Sequence, residues 1–370
     1  MKKILILTNI LSPYRVPLFN RLHKEDEVEV YVCALNDEEE NRNWGNSDND
    51  VRFDYEILGG LHKYIWNYEY PLHLNYGLLR VLRNEKPDVI LTSGYEQPAY
   101  WLAALYSKIR NKRFVTYMGT HKGSTGVDGY LKTFAKRKYL EWVDAVVSHG
   151  TKTSSYLKKL SVEENKIHEG FNTVDMKKFR NETIQNKNYK QVGGSEKVEY
   201  IFIGQFIKRK GIFELIREWP TRDRSISLKM VGSGPMFNRV KNYVNERGID
   251  NIKFEGNVKR KEIYKFYRSA DILVMPSLKE VWGLVVNEAL ASGLFVISSI
   301  RAGCTTDIIR EGFNGITFDP EKKNDLHDKI KKANKNINEI REKREDISKH
   351  AVRNMGLDRH ISAFMSAIKA

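Results

Sequence analysis

The stretch that most constrains this chain runs from Asp271 to Gly293, DILVMPSLKEVWGLVVNEALASG. Ile272 to Met275 is an apolar run of strand length, stopped by Pro276, which has no N–H to give a sheet. Ser277 to Lys279 form a short loop. From about Trp282 the spacing of Leu284, Val285, Ala289 and Ala291 is helical, and Gly293 stands where a left-handed C-terminal cap belongs. Phe295 to Ser298 reads as a second buried strand. A strand, a helix and a strand in so short a run must cross over in parallel. The chain therefore builds a parallel sheet covered by helices.

The same alternation extends both ways. Lys3–Leu7, Val28–Ala34, Asp88–Thr92, Phe114–Met118 and Asp144–Ser148 read as strands, and so do Val198–Ile203, Ser227–Val231 and the run from Ile252 to Val258. Between the two sets, 181–196 is polar and glycine-bearing, as a linker is. At 370 residues the chain can fill two cores. The predicted organisation is a first domain over 1–180, a second over 197–355, and a C-terminal helix in 356–370. Residues 321–350 read as charged helix.

Composition narrows the classes. No run of 18 apolar residues exists, so no helix is expected to span a bilayer. Ile4 to Leu7 is too short for a signal peptide and is better read as strand. Cys33 and Cys304 fit no metal spacing, which makes a reducing cytoplasm the default location. The formal charge of +15 favours an anionic partner, whether lipid surface, nucleic acid or phosphorylated substrate.

The central stretch carries the chemistry. Unpaired N–H groups at a helix start near Gly283 and Leu284 suit a phosphate, and a glycine there lets a ligand approach the backbone. Glu280 precedes that helix and Glu288 lies two turns into it, so they would meet different parts of one ligand. Two hydroxyl acceptors flanking a diphosphate suit a sugar nucleotide. Alone, such a pair is more often solvated helix surface.

Pro276, Ser277, Glu280, Trp282, Gly283, Glu288, Ala289 and Gly293 resemble the E-x7-E signature of retaining, nucleotide-sugar glycosyltransferases of family four. That resemblance implies the GT-B fold: α/β, two Rossmann-like doubly wound domains facing a cleft. The nucleotide would sit on the second domain and the acceptor mainly on the first. It implies sugar transfer with retention, Glu280 orienting the sugar and Glu288 the ribose. A uridine-diphosphate sugar is the expected donor, with no metal and no separate cofactor. Further blocks agree. Gly204-Gln205-Phe206-Ile207-Lys208-Arg209-Lys210-Gly211 is similar to the family's G-R-L-x-x-x-K-G, whose basic pair holds the diphosphate. Lys210 matches; Gln205 replaces the usual arginine, so Lys208 or Arg209 is expected to compensate. Gly232-Ser233-Gly234-Pro235 resembles the family's G-x-G-P, and Phe237 excludes a dinucleotide fingerprint. Asn257 and Val258 stand where the backbone usually meets the base.

In the first domain, Ser12-Pro13-Tyr14-Arg15 resembles the P-Y-R-x-P-L-F subset of the family, so Arg15 joins the ligand-binding set as a partner for a phosphate or acidic group; the alternative is a surface arginine. His121 sits in a glycine-flanked loop after a strand, where the family commonly places a histidine against the transferred sugar. Asp48-Asn49-Asp50 has a metal-binding D-x-D form but lies in polar loop sequence. Tyr64, Trp66, Tyr68, Tyr70 and Tyr76 either stack on sugars, sit at a membrane interface, or pack under a loop, the commonest case.

The expected partners are a nucleotide-sugar donor and a glycan or lipid-linked acceptor, as in cell-surface polysaccharide synthesis. A sugar-nucleotide epimerase of the same fold would need only the donor, and the E-x7-E block argues against it. No nucleic-acid-reading motif is recognisable, so no nucleic-acid partner is expected. Between Lys108 and Lys159 basic residues far outnumber Asp128, Glu141 and Asp144. Lys132, Lys136, Arg137 and Lys138 lie beside an apolar stripe at Phe134, which suits docking on the inner face of an anionic membrane; the alternative is a solvated helix face.

Overall fold

A computed structural model of the chain describes residues 1–38, 50–65, 70–124, 130–185 and 197–370, with the Tyr70 side chain outside that set. It divides into two compact units. Unit 1 comprises Met1–Thr120, Val127–Asn172 and Leu357–Ala370, and unit 2 comprises His121–Gly126 and Thr173–Gly356.

Unit 1 holds β1 (Lys2–Thr8), β2 (Val28–Ala34), β3 (Asp54–Ile57), β4 (Gly60–Ile65), β5 (Tyr70–Asn75), β6 (Val89–Thr92), β7 (Arg113–Met118), β8 (Ala145–His149) and β9 (Ile167–Gly170). Seven of these form a parallel sheet in the order β3-β2-β1-β6-β7-β8-β9. Along β1 the side chains alternate between layers. Leu5 and Leu7 pack with Ile90, Tyr100 and Phe114; Ile4 and Ile6 pack with Phe19, Val30 and Tyr117. The helix Leu357–Lys369 joins that second layer, burying Ile361, Phe364 and Ile368. Each such fully buried side chain is worth roughly 1.5–3 kcal/mol, so this C-terminal helix is a substantial part of the unit.

Unit 2 holds β10 (Val198–Ile203), β11 (Ile226–Val231), β12 (Ile252–Gly256), β13 (Ile272–Met275), β14 (Phe295–Ser299) and β15 (Gly315–Phe318). They form one parallel sheet in the order β12-β11-β10-β13-β14-β15. The helix Leu284–Ala291 connects β13 to β14. Helix Met176–Arg180 also belongs here, since Arg180 donates to Glu345 (2.5 Å) and Ser348 (2.9 Å).

In both sheets the chain order reverses at one strand pair, β1/β6 in unit 1 and β10/β13 in unit 2. Connections leaving such a pair run to opposite faces and open a crevice at the carboxyl ends, which is where ligands of open α/β sheets bind.

Several elements depart from the sequence reading. β3 and β9 pair at the sheet edges although neither segment has a sustained apolar run: β3 is largely exposed. β4 and β5 pair antiparallel, with Tyr64 buried and Tyr76 exposed. Trp66 and Tyr68 lie outside the described residues, as does Asp48, while exposed Asp50 accepts from Arg52 Nε at 2.7 Å. The charged segment after 321 is three helices, Asp325–Lys335, Ile337–Glu342 and Arg344–Met355. Cys33 and Cys304 are both buried free thiols.

Candidate functional site

Unit 2 concentrates charge at its switch point. The loop leaving β10 closes a single 3-10 turn over Lys208–Lys210, and the loop leaving β13 lies against it. The N–H groups of Leu278 and Lys279 both donate to the Arg209 carbonyl, at 2.8 and 3.2 Å. Gly211 follows at φ 68°, and a Cβ there would stand 2.0 Å from the Pro276 carbonyl oxygen. Only glycine permits that contact.

This zipping carries Lys210 onto Glu280. Lys210 Nζ bonds Glu280 Oε2, and Arg209 Nη1 lies 3.6 Å from the same oxygen. Glu280 is buried, which alone would raise its carboxyl pKa; Lys210, Arg209 and the Val281 N–H hold it below the ordinary value. The carboxylate is thus ionised and carries two cations, a cluster of net positive charge. Lys208 is exposed and has no such contact among the described residues, so Arg209 is the basic neighbour that stands nearest Lys210's partner; Gln205, two residues beyond β10, is half-buried.

The backbone after Glu280 is pinned to the next loop. Gly303 N–H donates to the Glu280 carbonyl (3.2 Å) and Cys304 N–H to the Trp282 carbonyl (3.1 Å). Trp282 is 2% exposed and its indole N–H donates to Asn287 at 2.9 Å. Gly283 then caps the helix in a left-handed conformation, φ 103°. A Cβ at Gly283 would meet Met275 Sδ at 2.7 Å, so the turn tolerates no side chain. The N–H groups of Leu284 and Val285 have no acceptor among the described residues, leaving donors at the helix start beside Lys210 and Arg209.

His121 belongs to the same unit and is buried. Gly123 N–H donates to its Nδ1 at 3.1 Å, which puts the ring proton on Nε2; Nε2 donates to the Glu280 carbonyl at 3.0 Å. Both ring nitrogens thus have partners, and the ring ties the loop after β7 to the Glu280 backbone. Glu288 is buried in the second turn of the helix and accepts from Tyr267 Oη at 2.5 Å. Tyr267 was not singled out in the sequence; the only hint is its i,i+3 spacing from Tyr264 on the preceding helix, Ile263–Ser269. Asn257 and Val258 follow β12, two strands from β10, with Asn257 exposed.

In unit 1, Arg15 ends the loop after β1, its Cζ 4.5 Å from the centroid of the Tyr117 ring. One sequence expectation is overturned here. Lys136 is not on the exposed basic face of the helix Tyr130–Glu141; it is fully buried, with Nζ donating to Tyr156 Oη at 2.7 Å. The reason is helical geometry: Lys136 shares a face with Tyr139 and Leu140, which point to the core.

Comparison with known proteins follows these lines. Residues 184–353 match the family described as glycosyl transferases group 1. An uncharacterized glycosyltransferase of Methanocaldococcus jannaschii is 31% identical over 130 residues, 35% of this chain and 36% of that protein. A GDP-mannose-dependent alpha-mannosyltransferase of Corynebacterium glutamicum is 30% identical over 48% of this chain and 43% of its own length. This chain thus spans about a third of the length of the curated relatives it matches first. Among solved structures, Anabaena Alr3699/HepE in complex with UDP and glucose superposes with a TM-score of 0.74 at 13% identity, covering 100% of both chains. The fold is therefore GT-B, two Rossmann-like α/β units, and residues 184–353 are similar to the glycosyl transferases of group 1.

Proposed function

We propose that this chain moves a sugar from a nucleoside diphosphate to a hydroxyl acceptor, with retention at the anomeric carbon. The observation that carries this reading is the Lys210–Arg209–Glu280 cluster beside unspent helix N–H groups at the unit 2 switch point. Negative charge develops on the departing diphosphate, and preorganised cations and N–H donors lower the barrier most when aimed at that charge. In the step proposed, the bond from the anomeric carbon to the diphosphate oxygen breaks and a bond to the acceptor oxygen forms on the same face. The acceptor proton passes to a leaving phosphate oxygen. Glu280, already ionised, accepts from sugar hydroxyls, and Glu288 accepts from the ribose. No residue is assigned as a covalent nucleophile.

The donor is proposed to be a uridine-diphosphate sugar; the Corynebacterium relative makes the guanosine donor the comparison to run. Melting temperature should rise with UDP more than with GDP, since a ligand at about 100 times its Kd adds about 2.7 kcal/mol. The shift should shrink in Lys210→Ala and should survive a chelator. No shift with any nucleoside diphosphate would remove the reading.

For the acceptor we propose a lipid-linked or glycan intermediate met at the cytoplasmic face of an anionic membrane. Tyr130, Leu131 and Phe134 are 84%, 80% and 51% exposed beside exposed Lys132, Arg137 and Lys138. Each such charge near an anionic leaflet adds about 1 kcal/mol. Co-sedimentation with anionic but not neutral vesicles, weakening with salt, tests it; Lys132→Glu with Arg137→Glu should release the protein.

A further inference from the structure

The guanidinium of Arg15 is half-buried, yet no hydrogen bond or ion pair uses its N–H groups among the described residues. The other half-buried arginines of unit 1 are spent: Arg21 on Glu25 and Asp358, Arg113 on the Ala367 carbonyl. What holds Arg15 is an aromatic face. It lies over Tyr117, whose ring is itself packed by His149 (centroids 6.0 Å) and Phe364 (5.5 Å). A guanidinium held on a ring keeps its planar fork of donors available for a second partner.

Among the described residues, no acidic group is paired with Arg15. The titratable groups against Arg15 from β7, β8 and the C-terminal helix are Tyr117, His149 and His360. Burial first, then the Arg15 charge, keep both histidines neutral, His360 being pushed down to about 3. Tyr117 Oη and both ring nitrogens of His149 are buried without hydrogen-bond partners among the described residues. A partly buried cation in such neutral walls is costly unless something else neutralises it. Arg15 also ends the loop that leaves β1, at the β1/β6 switch point where a ligand of this sheet belongs.

We infer that Arg15 is an anion-reading subsite of unit 1, taking a phosphate or carboxylate carried by the acceptor, with Tyr117 as its positioning residue. The word acceptor rests on the glycosyl-transfer reading; the anion site itself does not. Unit 2 already offers Lys210, Arg209 and a helix start to a donor diphosphate, whereas unit 1 offers this fork. The two-oxygen edge it fits is found on a carrier-linked sugar phosphate and on a uronic acid.

The test is calorimetric titration of the full chain with glucose 1-phosphate, glucuronate and glucose, each with the donor site filled by UDP and again without UDP. Either anionic sugar should bind roughly tenfold or more tighter than glucose, as a charge-assisted bidentate pair does. Which of the two binds tighter separates a carrier phosphate from a uronate. Arg15→Gln should erase the advantage and leave UDP affinity unchanged. Arg15→Lys should recover part of it, with the charge but not the fork. Tyr117→Leu should weaken it while Tyr117→Phe retains it, an order that a purely structural role for the hydroxyl would not produce. Equal binding of glucose and the anions overturns the inference, and so does an advantage that survives Arg15→Gln. Loss of UDP affinity in Arg15→Gln would assign the guanidinium to the donor instead. Failure of UDP to bind wild type would instead count against the glycosyl-transfer reading, because the UDP-free titrations still report on Arg15.

Discussion

The two units solve one problem in two ways. Each forks its sheet at a single strand pair and brings a cation to the carboxyl ends. Unit 2 stores its cations as an ion cluster, with Lys210 and Arg209 sharing the Glu280 carboxylate. Unit 1 lays Arg15 over Tyr117, with no carboxylate paired to it among the described residues. A shared carboxylate holds two cations in a buried place and leaves the cluster with a net positive charge. An aromatic face holds one cation with its hydrogen-bonding capacity unspent. The first arrangement is closed within the protein; the second leaves a guanidinium with donors to spare.

The largest effect that would break this comparison is at Lys210. Lys210→Ala should lower turnover by roughly two to three orders of magnitude, as removal of one transition-state donor does. It also strips the buried Glu280 of its main partner, so stability should fall too. The Lys210→Ala, Glu280→Ala double variant separates the two effects: the melting temperature should partly recover while turnover stays low. Recovery of turnover in the double variant would make Lys210 a structural partner of Glu280 and nothing more.

A smaller effect should divide the glutamates. Glu288→Ala should chiefly weaken nucleotide binding, and Glu280→Ala should chiefly cut turnover on bound donor, each by roughly tenfold or more. Tyr267→Phe, which removes the bond to Glu288 but keeps the ring, should follow Glu288→Ala in direction with a lesser loss. Equal effects on binding and turnover in both glutamate variants would end the division of roles.

The smallest effect is in acid. His149 and His360 have lowered pKa values in the folded unit 1, so the unfolded chain takes up their protons first. Their contribution is therefore lost as the pH falls below about 6.5, the ordinary histidine value, and for His360 continues down to about 3. Glu280 loses stability in the same direction but at lower pH: its lowered carboxyl adds stability above its ordinary value of 4.5, lost only as the pH falls through the lower folded value. Between pH 7 and 5 the loss should thus come from the lowered histidines, which are His73, His149, His168 and His360 in unit 1 and His350 in unit 2. The melting temperature should drop across that window by roughly a few degrees, and His360→Gln should flatten part of the drop. An unchanged slope would place the acid sensitivity elsewhere.

How much of this was legible beforehand follows from the range of the interactions. β2 and β10 have the boundaries read from the sequence, because a buried parallel strand is a local apolar run. The Pro276–Gly293 unit was equally legible: proline ends the strand, glycine turns the chain, and helical spacing begins at once. β3 and β9 were not, since an edge strand is half solvated and its partner is distant in sequence. Lys136 shows the same limit within one helix. Composition marks it as basic surface, while the face it occupies is decided by where Tyr139 and Leu140 pack.

By itself the sequence determined a parallel α/β fold, the site of chain reversal around Gly283, and the residue types Lys210, Glu280 and Glu288 near a helix start. These depend on periodicity and on backbone freedom, both written within a few residues. Only the tertiary structure decided which charges are spent. Lys210 meets Glu280 across 70 residues, His121 reaches the Glu280 carbonyl across 159, and Arg15 comes to rest on the Tyr117 ring. A residue's charge is local, but its partner and its desolvation are set by strands that neighbour it in space and not in sequence.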